Sequence, residues 1–263
     1  MVVFAGQGDA RRSMDLLWRT PAPLAPRPGP RPALSVDVIV DAAVAVADAD
    51  GMAALSMRAV GERLGRTGMA LYTYVPSKGE LVDLMYDRVL AELPDGYPME
   101  DGWRAAATSW AEDLWDFYLR HPWVLQVSQA RPVLGPNEYR MLEAVLRVLR
   151  GTGLPASLLR RITGALFNLV RGSAQMAAEV RQAAVATGVS DDEWWYARAA
   201  LLDEIAPDFA ERYPSIAWMS AQGAYEEHDE DVPYMEQEAR QSFDAGLAVL
   251  LDGVEAVIRR DRV

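Results

Sequence analysis

The sequence predicts an all-α protein: an N-terminal arm, a small three- to four-helix domain and a larger helical domain. Three observations lead there. From Ser35 onward apolar residues recur three or four apart in most stretches, whereas alternating β-branched runs are few. Capping residues, glycines and prolines punctuate those stretches where helices should start and stop. The length, 263 residues with 51% hydrophobic and 24% charged, suffices for one large domain or two smaller ones, each with its own core.

Composition also narrows the chemistry. The chain has no cysteine and 2 histidines, which excludes disulfides, thiol nucleophiles and iron–sulfur clusters and leaves too few ligands for structural zinc. No leader-like start and no 18-residue apolar stretch is present, so a cytoplasmic location without a membrane partner is expected. Residues 1–33 carry six prolines and five arginines against two acids, a net charge of +3. A run such as Pro26-Arg27-Pro28-Gly29-Pro30-Arg31-Pro32 neither donates backbone ladders nor buries apolar area, so the whole arm is expected to be extended or disordered. Residues 34–93 carry −4 and residues 94–263 carry −11, so the acidity lies mainly in the last two thirds.

The elements follow in order. The first helix is expected over 36–49, with Ser35 as N-cap, an apolar stripe from Val36 through Ile39, Val40, Ala43, Val46 and Ala47, and Gly51 as terminator. A second should start after Ser56 and end at Leu64-Gly65, and a short third should begin near Thr67 and stop by Val75-Pro76. The fourth opens on Ser77-Lys78-Gly79-Glu80, a capping box in which Glu80 should reach back to the Ser77 backbone N–H. After Pro94-Asp95-Gly96, helices are expected at 100–120, 122–130, 137–151, 155–187, 191–203, 206–212 and 235–260. The acidic run from Glu226 to Asp231 reads as a solvated loop.

Two short helices meeting at Leu64-Gly65-Arg66-Thr67 make a helix-turn-helix arrangement. The run from Ser35 to Leu81 is more specific. Ile39 with Ala42-Ala43, Asp50-Gly51-Met52-Ala53-Ala54-Leu55-Ser56-Met57-Arg58, Leu64-Gly65, and Met69-Ala70-Leu71-Tyr72-Thr73-Tyr74-Val75-Pro76-Ser77-Lys78-Gly79-Glu80-Leu81 occur in order and at family spacing. In these elements the chain resembles the TetR family of transcriptional regulators. The resemblance implies double-stranded operator DNA as partner, a homodimer, and a small-molecule effector bound after the helix-turn-helix domain.

On this reading Leu55, Val60, Leu64, Leu71 and Leu81 close a small core. Tyr72 and Tyr74 stand where the family contacts DNA, and their hydroxyls suit phosphates. Lys78, in the first turn of the fourth helix, can grip a phosphate together with the helix N–H groups. Thr67, Gly68, Met69, Ala70 and Thr73 are the residues available to the major groove. None is an Arg, Asn or Gln capable of a bidentate base contact, so thymine-methyl contact and one or two hydroxyl bonds remain. Arg58 matches a family position that reaches the groove edge and is expected to supply direct discrimination. Arg27 and Arg31 of the arm, with Arg11, Arg12 and Arg19 beside them, are expected on the phosphate backbone or in the minor groove.

The larger domain offers two helices for a dimer. One carries Leu166, Leu169, Ser173 and Met176 with small Gly164, Gly172 and Ala174, and the other carries Phe243, Leu247, Leu250, Val254 and Ile258. These helices form the dimer in the part of the family similar to the tetracycline repressor, with core packing inside one chain as the alternative for any single residue. Trp110, Leu114, Phe117, His121 and Trp123, with Phe167, Asn168, Arg171 and Gln175, are the expected lining and anchors of an effector pocket. His121 stands where a tetracycline-type repressor has a histidine near its metal–drug complex. No matching second ligand is found, so neither a metal nor a cofactor is expected. No acid–base pair, activated nucleophile or phosphate loop is present, which argues against an enzyme. The function expected is a ligand-responsive homodimeric repressor on a pseudo-palindromic operator, released by a small, largely apolar effector. The alternative is a ligand-sensing or protein-binding module of the same fold without specific DNA recognition.

Overall fold

The computed structural model describes residues 3–19, 34–225 and 232–261. The chain divides into two compact units. The first runs to Ala165 and includes the chain from Ile258, and the second is Leu166–Val257. In the first unit lie β1 (Val3–Phe4), α1 (Ala10–Leu17), α2 (Val36–Ala54), α3 (Met57–Leu64), α4 (Gly68–Leu71), α5 (Lys78–Leu90) and α6 (Gly102–Arg120). A 3-10 turn (Pro122–Gln126), β2 (Val127–Ser128) and α7 (Pro136–Arg150) follow, and α8 (Ala156–Thr187) begins there. The second unit takes the rest of α8 with α9 (Asp191–Ile205), α10 (Phe209–Arg212), α11 (Pro214–Ala221) and most of α12 (Tyr234–Asp261).

The head formed by α2 to α5 folds as its pattern dictates. Ser35 and Ser56 cap α2 and α3 by accepting the N–H groups of Val38 (3.3 Å) and Ala59 (3.1 Å). The stripe of α2 buries Ile39, Val40, Ala43, Val46 and Ala47 against α3 and α5, and Gly51, at φ +75°, breaks the helix as expected. Leu55, Val60, Leu71 and Leu81 are buried, while Leu64 is only half-buried. At the start of α5 the serine cap forms as expected, with Ser77 Oγ accepting the N–H groups of Gly79 (3.1 Å) and Glu80 (3.3 Å). The Glu80 carboxylate, however, takes the Ser77 hydroxyl rather than its backbone N–H.

Three elements differ from the sequence expectation. Residues 3–19 are not an extended arm. Asp9 caps α1 through the Arg12 N–H (2.9 Å), β1 pairs in parallel with β2, and Ala5, Ser13 and Leu17 are buried, because this segment packs along α5, where Asp83 accepts the Gly6 N–H, a pairing that composition does not reveal. Residues 20–33, with Arg27 and Arg31, lie outside the described residues, as does the acidic run at 226–231. The helix expected over 122–130 is a 3-10 turn followed by β2, since the partner strand takes up the backbone of Val127 and Ser128. An additional helix, α11, starts on Pro214, whose ring suits the first helical position.

In the body of the first unit, Trp110, Leu114, Phe117, Trp123 and Leu149 are fully buried. In the second unit, Leu166, Val170, Ala174 and Ala177 of α8 and Phe243, Leu247, Leu251 and Val254 of α12 are buried. A Cβ at Gly246 would stand 2.8 Å from Leu169, so the glycine lets α12 approach α8. The pair is tied by Arg181, which donates to Glu236 at 2.6 and 3.0 Å.

Candidate nucleic-acid interface

The α3–turn–α4 arrangement is built on glycines. Gly65 closes α3 in the left-handed conformation (φ +64°), its N–H returning to the Glu62 and Gly61 carbonyls. A Cβ at Gly61 would lie 2.8 Å from the Arg66 carbonyl oxygen, and one at Gly68 would lie 3.1 Å from that of Met57. The two helices therefore touch backbone to backbone, and α4 can be one turn long because Leu71 is fully buried beneath it. Gly61 escapes the sequence reading, although its position, seven residues before Gly68 in a helix-turn-helix, is the available signal.

This packing leaves one face open. Met69 is 76% exposed, and Thr67, Tyr72, Thr73, Tyr74 and Lys78 are also exposed, with Gly68 and Ala70 half-buried between them. Arg58 stands on the neighbouring helix with its side chain 86% exposed, and its Nε donates to Glu62 at 2.8 Å. That carboxylate raises the guanidinium's pKa, and it leaves the remaining N–H groups of the fork to solvent. The structure thus brings all nine expected residues between Arg58 and Lys78 onto contiguous elements of the head. Of the arm arginines, Arg19 is engaged elsewhere, in an ion pair with Asp37 and a bond to the Leu16 carbonyl (2.6 Å), and Arg11 pairs with Asp15 (3.3 Å).

The head meets the body at two polar joints. Asp87 of α5 accepts the N–H groups of Asn137 (2.9 Å) and Glu138 (3.0 Å) and the Asn137 side-chain amide (2.9 Å), so it caps α7, whose own N-cap, Gly135, has no side chain. Burial pushes the Asp87 carboxyl up, with these three donors and Arg140 opposing the shift. At the other joint His121 ends α6. Its Nδ1 lies 2.7 Å from Asp48 of α2, and its Nε2 lies 3.1 Å from Glu92 just beyond α5. Trp123 Nε1 donates to the same Asp48 oxygen at 2.7 Å, and Arg120 pairs with Glu92 at 3.2 Å. His121 is therefore buried with both ring nitrogens partnered, a clasp between head and body that its sequence context does not betray.

The other expected effector residues are placed as follows. Trp110, Leu114, Phe117 and Trp123 are buried in the first unit, and the Phe117 ring lies 5.4 Å from that of His121. In the second unit Phe167 and Arg171 are half-buried and Asn168 and Gln175 exposed, with Gln175 donating to Glu179 at 2.8 Å. Of the expected dimer residues, Leu166, Phe243, Leu247, Val254 and Ile258 are buried within the single chain and belong to its core. Leu169, Ser173 and Leu250 are half-buried and Met176 is exposed.

A glycine-packed helix-turn-helix with an exposed tyrosine, threonine, methionine and lysine face, joined to a larger helical body, defines a DNA-binding regulator. The chain belongs to the TetR family. Residues 39–85 match the bacterial regulatory proteins of the tetR family, and residues 95–258 match the tetracyclin repressor-like C-terminal domain. This is a family of regulators, not of enzymes. The chain is 38% identical to the HTH-type transcriptional repressor DrrR1 of Streptomyces coeruleorubidus, over 98% of this chain and 90% of that protein. Its fold is similar to the regulator SCO7222, a TetR from Streptomyces coelicolor, with 27% identity and a TM-score of 0.62 over 85% of this chain and 99% of that one. It is also similar to ActR of Streptomyces coelicolor in complex with actinorhodin, with 24% identity and a TM-score of 0.64 over 86% and 97%. Among the described residues no helix is long and apolar enough to cross a membrane.

Proposed function

We propose that the protein is a homodimeric transcriptional repressor that binds a pseudo-palindromic operator and leaves it when a small, largely apolar effector binds beyond the head. The observation that carries this reading is the open face of Met69, Tyr72, Thr73, Tyr74 and Lys78 beside Arg58 on glycine-packed helices. Tyr72, Tyr74 and Lys78 take phosphates, Met69 and Ala70 meet thymine methyls, and Arg58 reads a base edge. A single helix-turn-helix covers half of a palindromic site, which is the reason for a dimer. Support for one comes from the outer faces of α8 and α12, where Gly172, Met176, Ala245, Val249 and Gly253 are exposed and a Cβ at Gly172 or Gly253 would meet nothing within 4 Å. Gly172, Ala245 and Gly253 are small enough to let helices of two copies approach closely. The repressor DrrR1 and the actinorhodin-bound ActR support the repressing direction and the effector.

The test is a mobility shift with the DNA upstream of the protein's own gene, followed by thermal-shift screening of small molecules and a repeat of the shift with the hits. The expected result is a retarded band that a stabilising ligand removes. Absence of a preference over scrambled DNA would favour the sensing module without DNA recognition.

A further inference from the structure

Residues 3–19 lie outside both family matches, yet they cross the seam between the head and the body. One end is fixed where Val3 and Phe4 pair with Val127 and Ser128 and where the Gly6 N–H donates to both Asp83 oxygens, at 3.0 and 3.2 Å. Ala5, between them, is buried. Gly8 rests against Glu80 so closely that a Cβ would collide with its carboxylate. The other end is fixed by the Trp18 indole, whose N–H donates to the Leu134 carbonyl at 2.9 Å and whose ring lies 6.1 Å from Tyr139. Arg19 then pairs with Asp37 of α2.

Two features show that this contact is built rather than incidental. Glu80, Asp83 and Asp87 follow one another at helical spacing along α5, all three buried. The first two face the N-terminal segment, and the third caps α7. Burial pushes the Asp83 carboxyl up to about 6, against the pull of the Gly6 N–H. At the far end Leu134 is the one non-glycine residue at positive φ (+63°) among the described residues. It is held there from both sides, with its N–H on Glu138 (2.6 Å) and its carbonyl on Trp18. A loop residue in that conformation persists only where its surroundings determine it.

We propose that residues 3–19 are an intramolecular brace that pins α5 to β2 and to the start of α7 and thereby fixes the recognition helix against the body. The inference rests on the DNA-binding reading. Helix α5 begins with Lys78 and shares the buried core of the head with Leu71 of α4, so a tilt of α5 moves the DNA face. An unbraced head would have to lose that freedom on binding, and affinity would fall. The brace acts through position and not through contact with DNA.

The absence of cysteine makes this directly testable, because Val3→Cys with Val127→Cys would place a reversible cross-link between paired residues of β1 and β2. Trp18→Ala would loosen the other end without changing charge or touching the DNA face. In hydrogen exchange on the full chain without DNA, Trp18→Ala should speed exchange across residues 80–87 and 127–128 by about tenfold, and the oxidised cross-link should slow it again. Its affinity for promoter DNA should fall by about fivefold with an unchanged salt slope, and oxidation of the cysteine pair should restore it. Unchanged exchange in α5, or faster exchange with unaltered DNA affinity, would overturn the brace. Failure of the wild-type chain to bind promoter DNA would count against the repressor reading, and exchange alone would then decide the brace.

Discussion

The head and the segment from α9 to α11 have similar apolar content and opposite fates. In the head Ile39, Leu55, Leu71, Leu81 and Met85 are wholly buried, and the exposed large side chains gather on one face. From α9 to α11 none of the described residues is buried: Trp194, Trp195, Ile205, Ile216 and Trp218 are all exposed, Ile205 by 76% and Trp218 by 64%. Aromatic rings stack on its surface instead, with Arg198 4.2 Å above Trp194, Trp194 on Trp195 at 5.8 Å, and Trp195 on Tyr234 at 6.2 Å. Apolar residues therefore stabilise the chain only where other elements close over them, and the head supplies those elements from its own sequence.

Substitutions can break this contrast at either end. Leu71→Ala should have the largest effect, about 2–5 kcal/mol of stability, because it opens a cavity beneath a one-turn helix with no slack to collapse. Urea denaturation followed by circular dichroism measures it, and a loss near zero would mean that the head core is not the source of order. Arg58→Ala should leave stability almost unchanged, since its ion pair with Glu62 is exposed, while costing about 1–3 kcal/mol of discrimination at one base pair. Competition binding with single-base operator variants reads that cost.

A smaller effect is expected at Asp83. Its carboxyl titrates at about 6 in the folded chain against an ordinary value of 3.8. Stability is thus greatest below the ordinary value and is lost as pH rises from about 4 through about 6. Asp83→Asn should remove that slope and add on the order of 1 kcal/mol at pH 7.5, provided that the amide oxygen still accepts the Gly6 N–H. Thermal melts from pH 4 to 7.5 follow it. Trp218→Ala should change the stability of the isolated chain least, by less than about 0.5 kcal/mol, because the ring is mostly in water. A loss of several kcal/mol would show that the α9–α11 surface is covered in solution.

The same contrast explains what could be read in advance. Within the head every signal is local: Ser35, Ser56 and Ser77 cap, Gly65 terminates, and Leu55, Leu71 and Leu81 fall at core spacing. The exposed face of Met69, Tyr72 and Tyr74, proposed above for DNA, is legible because it is the complement of that core. The clasp of His121 with Asp48 and Glu92 depends on residues 73 and 29 positions away, and the fold of residues 3–19 depends on an acid row on α5 some seventy positions downstream. The six prolines in 20–33 dominate the composition of the arm and hide the amphipathic Ala10–Leu17 before them. The burial of Phe243 and Leu247 within one chain is not legible for a related reason, since they satisfy a helix-pairing pattern equally well inside one chain and between two.

The most direct test of the DNA-binding account is a fluorescence-anisotropy titration of the full chain with promoter DNA and with a scrambled duplex, using wild type and Met69→Asp at several salt concentrations. Wild type should prefer promoter DNA by about a thousandfold or more, and Met69→Asp should lose this preference while keeping its fold. Equal affinity of the wild-type chain for both duplexes, or an unaltered preference in Met69→Asp, would contradict the DNA-binding account.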